Sequence, residues 1–81
     1  MPPDRQAVEN CAARYFRADE IKGVMQLLDG YADKERERVQ ICILMLSKGD
    51  IAAIKHNVRQ AIQDYRDILY WADPGDNLSD Q

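Results

Sequence analysis

His56 is the only histidine in this 81-residue chain, and an imidazole catalyses by working with a nucleophile and an orienting carboxylate held within reach. On a helix its turn-related neighbours are Ala52, Ala53, Arg59 and Gln60. They supply neither group, so His56 reads as a solvated surface residue. A metal site would want a second ligand three or four positions away on the same face, or a Glu-x-x-His pair, and neither occurs. Asp64 and Asp67 are three apart and share a helical face, with Arg66 between them in sequence. Paired carboxylates can transfer protons or hold a divalent ion, but no third or fourth oxygen ligand stands nearby. The plainer expectation is a mixed-charge surface with local hydrogen bonds, Gln60 to Asp64 and Gln63 to Asp67.

Lys55, Arg59 and Arg66 fall within about 40° on the same helix. With the Lys48-Gly49 turn ahead of them, they have the layout of a helix-turn-helix nucleic-acid binder. Three features oppose that reading. The second helix is long for a recognition helix, Asp64 and Asp67 would repel phosphate, and the chain is acidic: 11 basic against 14 acidic residues, net charge −3. Cys11 and Cys42 lack CxxC spacing and a ligand cluster, so they are expected to be buried, reduced thiols rather than a zinc or redox site. Tyr70 and Trp71 project about 100° or more from the centre of the last helix's apolar arc. Aromatics so placed cap another element or anchor an interface. Either the N-terminal segment folds over Trp71, or a second subunit or a foreign partner meets it. No glycine-rich phosphate loop, GxSxG elbow or HExxH motif is present.

The elements that carry these residues are helical, because no segment alternates apolar and polar residues as a strand would. After the N-cap residue Asp50, Ile51, Ile54, Val58, Ala61, Ile62, Tyr65, Ile68, Leu69 and Ala72 recur at helical spacing. They define one helix over 50–73, about 34 Å long at 1.5 Å per residue. Asp73-Pro74-Gly75 ends it. A helix over 33–48 precedes it, closed by Gly49 in the left-handed conformation. Its second half, Ile41-Cys42-Ile43-Leu44-Met45-Leu46, is apolar on all sides and must be covered on all sides. A shorter helix spans 19–29, with Ile21, Val24, Met25 and Leu28 on one face and Gly23 as a costly interior glycine. Residues 4–16 fit a helical stripe with weak caps.

Size adds a constraint. A 9.3 kDa chain buries about 60–65% of the surface its unfolded form exposes, so its core is thin and self-association is a common remedy. The start of the chain has no apolar run of the secretory kind, and nothing approaches the ~20 residues of a membrane span.

Arg38-Val39-Gln40, Leu46-Ser47-Lys48-Gly49-Asp50 and Asp64-Tyr65-Arg66-Asp67-Ile68-Leu69-Tyr70-Trp71-Ala72 resemble the C-terminal part of small bacterial proteins of unassigned function. The resemblance is limited to residues 38–73, under half of the chain. It implies a bacterial, cytoplasmic setting and supplies no activity, cofactor or site residue.

These observations predict an all-α bundle of three to four helices with a C-terminal antiparallel helical hairpin. Residues 1–73 form one domain, with 1–17 more loosely packed, and 74–81 form a polar flexible tail. The surplus apolar surface of Ile41, Leu44 and Met45 is covered either by residues 7–16 or by a second copy of the chain. The expected function is a non-catalytic protein-interaction or self-associating module, most simply a homodimer. Its interface residues are Ile41, Leu44, Met45, Tyr70 and Trp71, and it uses no metal or cofactor. The alternative is a nucleic-acid-binding regulator using Lys55, Arg59 and Arg66. An enzyme or small-molecule binder would need Asp64, Asp67 and Tyr70 around one concavity.

Overall fold

A computed structural model describes residues 3–72. The helices in it are α1 (Arg5–Tyr15), α2 (Ala18–Leu28), α3 (Arg36–Ser47) and α4 (Ile51–Ala72), with no strand among the described residues. The expected tail over 74–81 and the Asp73-Pro74-Gly75 stop lie outside them. The all-α expectation holds, and the N-terminal segment supplies the fourth helix. Side-chain oxygens cap the two chain-terminal helices: Asp4 accepts from the Ala7 amide at 2.9 Å, and Asp50 from the Ala52 and Ala53 amides at 2.9 and 3.4 Å. Each satisfies amides that the first helical turn leaves without partners. At the start of α2 the carboxylate of Glu20 reaches back to accept from the Arg17 amide at 3.0 Å.

α3 is the hub. It packs on α4 across the short Lys48–Asp50 turn and on α1 along its other flank, while α2 bridges α1 and α4. Val39, Ile43 and Leu44 of α3 are fully buried, in one core with Val8, Ala12 and Phe16 of α1, Val24, Met25 and Leu28 of α2, and Ile54, Val58, Ala61 and Ile68 of α4. A polar relay also joins the two long helices. The Asn57 amide donates to the Ser47 hydroxyl at 3.0 Å, which donates to the Ile43 carbonyl at 2.7 Å, so none of these buried atoms is stranded. Gly49, with φ +86°, has the positive φ that glycine tolerates best. A Cβ there would also stand 3.1 Å from the Tyr15 carbonyl oxygen, because the α3–α4 turn seats on the end of α1.

Two local departures from the predicted elements have tertiary causes. α3 starts at Arg36 rather than Asp33. Tyr31 is buried and donates its hydroxyl to the Lys34 carbonyl at 2.6 Å. That contact holds the preceding residues in a turn, and Glu35 takes a left-handed φ of 53° before the helix begins. α4 is also not continuous. Asp64 is extended (φ −159°, ψ 98°), and its carboxylate accepts from the Arg66 amide at 3.1 Å, capping the segment that follows. That segment turns toward the α2–α3 connection. Tyr65 lies against Tyr31 with ring centroids 6.5 Å apart, and Ile68 is fully buried.

Gly23 lies inside α2 with nothing within 4 Å of a Cβ built on it, and its φ is not positive. Gly23→Ala is therefore expected to stabilise the protein by about 0.5–1 kcal/mol, the gap in helix propensity. Urea denaturation reads this as a higher midpoint at unchanged m-value.

Candidate functional site

The greasy half of α3 has its buried arc on Val39, Ile43, Leu44 and Ser47. Residues spaced about 100° apart cannot all point there, so Ile41 and Met45 emerge on the opposite side. Ile41 is half-buried and Met45 is 40% exposed. α1 lies alongside and covers much of the surplus apolar surface, which is the first of the two covers expected. The cover is incomplete. Cys11 and Tyr15 of α1 face Ile41 and Met45 of α3 across an open groove of about 380 Å³, with Arg14 on its rim. Tyr15 is 38% exposed. Of the three α3 residues expected at an interface, Leu44 is sealed inside the monomer at 0% exposure and cannot be a contact residue. Tyr15 and Cys11 were not among the expected interface residues. Their signal in the sequence is the stripe Ala7, Cys11, Tyr15 at four-residue spacing, one helical face.

Cys11 and Cys42 form no disulfide, and both are half-buried rather than fully enclosed. Burial pushes the Cys11 thiol up from its ordinary value, with Arg14 opposing. The group is thus held as the thiol, the less nucleophilic form.

The break at Asp64 dissolves the other constellations. Lys55 and Arg59 stay exposed one turn apart on the first part of α4. Arg66 lies beyond the non-helical residue, so the three cations do not form one continuous helical stripe. Arg66 also donates from Nε and Nη2 to Asp64 at 3.0 and 3.2 Å. The hydrogen bond and charge of Arg66 hold the Asp64 carboxyl below its ordinary range, and Asp64 raises Arg66 in return. The expected Gln60–Asp64 and Gln63–Asp67 bonds are replaced, because Asp64 has left the helical face. Gln60 instead donates to Asp67 at 3.1 Å across the break. A concavity of about 350 Å³ does open here, lined by Asp64 with Tyr31, Tyr65 and Lys34 among others, but neither Asp67 nor Tyr70 lines it. The three groups required of a small-molecule site are therefore not brought together. No cluster of three or more potential metal ligands occurs among the described residues. His56 is exposed.

Tyr70 and Trp71, 55% and 48% exposed, stand on the outer side of the last turn of α4. α1 packs on α3 and α2, and Trp71 keeps about half of its surface open among the described residues. No helix of the described residues is long and apolar enough to cross a membrane. Compared with protein-family models, curated proteins and solved structures, this chain matches none.

Proposed function

We propose that this chain is a non-catalytic helical interaction module whose docking surface is the groove between α1 and α3. The observation that carries this reading is the group of apolar side chains in that groove: Cys11, Tyr15, Ile41 and Met45 line it together with Asn10 and Arg14, and Tyr15 and Met45 stay 38% and 40% exposed. Apolar side chains gathered in one open concavity cost free energy while they stay wet, and a partner's side chains relieve that cost. The polar arrangements weigh the same way, since Arg66 is already tied to Asp64.

The dye 8-anilinonaphthalene-1-sulfonate tests the reading, being apolar with one anionic group for Arg14. Dilute protein is expected to enhance its fluorescence. Met45→Glu should abolish the enhancement while the thermal midpoint stays put, because Met45 is a surface position. A native chain that leaves the dye dark, or a Met45→Glu variant that binds it undiminished, would remove the groove from consideration.

A further inference from the structure

We infer that the last part of α4, residues 65–72, is a hinged flap, latched at Asp64, that opens as one unit while the rest of the bundle stays folded. The inference stands apart from the groove between α1 and α3. It is carried by where the break in α4 falls and by what holds the chain on either side of it.

α3 has 12 residues and α4 has 22, about 18 Å and about 33 Å at 1.5 Å per residue. The two pack on each other directly after the turn at 48–50, so α3 supports α4 for little more than its own length. A stretch of α4 as long as α3 ends at Ile62, and the helix breaks at Asp64. The break therefore comes where the support runs out. Neither glycine nor proline stands near Asp64 to force it. Beyond it the chain folds over the α2–α3 connection, with Tyr65 against Tyr31 at 6.5 Å between ring centroids and Ile68 buried.

The two parts of α4 are held differently. The first places Ile54, Val58 and Ala61 in the core and is tied to α3 by the Asn57 amide, which donates to the Ser47 hydroxyl at 3.0 Å. The second meets the other helices through apolar contacts. Its side-chain hydrogen bonds among the described residues stay within α4, from Arg66 to Asp64 and from Gln60 to Asp67. The Asp64 carboxylate accepts from the Arg66 amide at 3.1 Å, which starts the second segment as a side-chain cap does. The latch is thus built into the hinge itself. Eight residues are too few to stay helical alone, so an undocked flap melts. Opening lays bare Tyr31, only 2% exposed while the flap is closed. The flap is a lid on an apolar surface.

Amide hydrogen exchange of the full chain, followed by NMR under native conditions, tests this beside the fluorescence of Trp71, the single tryptophan. The amides of residues 68–72 are expected to share one exchange rate, at least about tenfold faster than those of residues 54–61. Asp64→Ala should raise the shared rate several-fold and shift Trp71 emission to the red, with residues 54–61 unmoved. Asp64→Asn, which keeps a capping oxygen, should restore most of the wild-type behaviour. Rates that climb residue by residue toward the chain end would mean simple fraying and overturn the unit. Rates equal to those of residues 54–61 would overturn the flap, as would an Asp64→Ala variant that loses protection throughout the bundle. A shared rate that Asp64→Ala leaves unchanged or lowers, or that Asp64→Asn does not rescue, would overturn the latch.

Discussion

Leu44→Asp is expected to leave the chain unfolded at neutral pH. Leu44 is completely buried in the core that joins α1, α3 and α4. Removing it forfeits about 2–3 kcal/mol of apolar burial, and an unpaired carboxylate in the vacated space costs several kcal/mol more. No buried donor is free to meet it: the Ser47 hydroxyl is committed to Ile43 and Asn57, and the Gln40 amide to two carbonyls. A chain of this size has a total stability of about 4–12 kcal/mol, so the combined loss consumes most or all of it. Loss of the 222 nm dichroism signal without denaturant is the expected reading. Leu44→Ala, which makes a cavity and buries no charge, should remain folded but weaker by about 2–5 kcal/mol. Met45→Asp, one residue along and facing the groove, should cost far less. The contrast between adjacent positions is the informative part, because it separates a core helix face from a docking face. A Leu44→Asp variant with native dichroism and an unshifted urea midpoint would mean that α3 is rotated from the orientation described.

Helix periodicity carried most of the fold into view, because apolar spacing in α2 and much of α4 falls on their buried faces, although Ile51 and Ile62 of the expected α4 stripe are exposed, at 38% and 62%. It worked least well in α3, where apolar residues on every side left the inward face undetermined, so Leu44 and Met45 looked equivalent. Only the position of α1 separates them, and that position depends on contacts distant in sequence. The same limit explains the break at Asp64. Nothing in Gln63-Asp64-Tyr65-Arg66 forbids a straight helix. The bend comes from Tyr65 meeting Tyr31 and Ile68 entering the core. A trace was legible: Asp64 and Asp67 have the three-residue spacing of an N-cap and its third helical position. A capping residue inside an apolar stripe looks like surface charge until the helix is known to end there. The candidate groove was half legible. Ile41 and Met45 stood out as surplus, whereas their α1 neighbours Cys11 and Tyr15 belong to a stripe whose partner helix could not be named from spacing alone.

Gln40 marks a further gap between pattern and packing, and it supplies the second large effect. A polar residue within the apolar run of a helix is ordinarily placed toward water, but Gln40 is fully buried. It reaches from α3 to the end of α2, donating from Nε2 to the Leu28 carbonyl at 2.8 Å and the Tyr31 carbonyl at 3.0 Å. Its Oε1 has no hydrogen-bond partner. Gln40→Glu replaces the double donor with an acceptor facing two carbonyl oxygens, at a cost of about 3–5 kcal/mol at pH 7. Gln40→Met removes the stranded Oε1 along with the donors. Leu28 keeps the Tyr31 amide at 3.0 Å as a partner, so the loss should be about 1–2 kcal/mol. Proton linkage separates the two variants further. A buried carboxyl facing acceptors has a folded-state pKa above its unfolded value, so the native state binds the proton more tightly. Stability of Gln40→Glu should therefore rise as pH falls from 7 toward 5, while Gln40→Met shows no such gain. Urea titrations at both pH values should rank wild type above Met above Glu at pH 7, with the gap between Met and Glu narrowing at pH 5. A glutamate variant at least as stable as the methionine one at pH 7 would mean that the Nε2 clamp does not hold the α2–α3 connection.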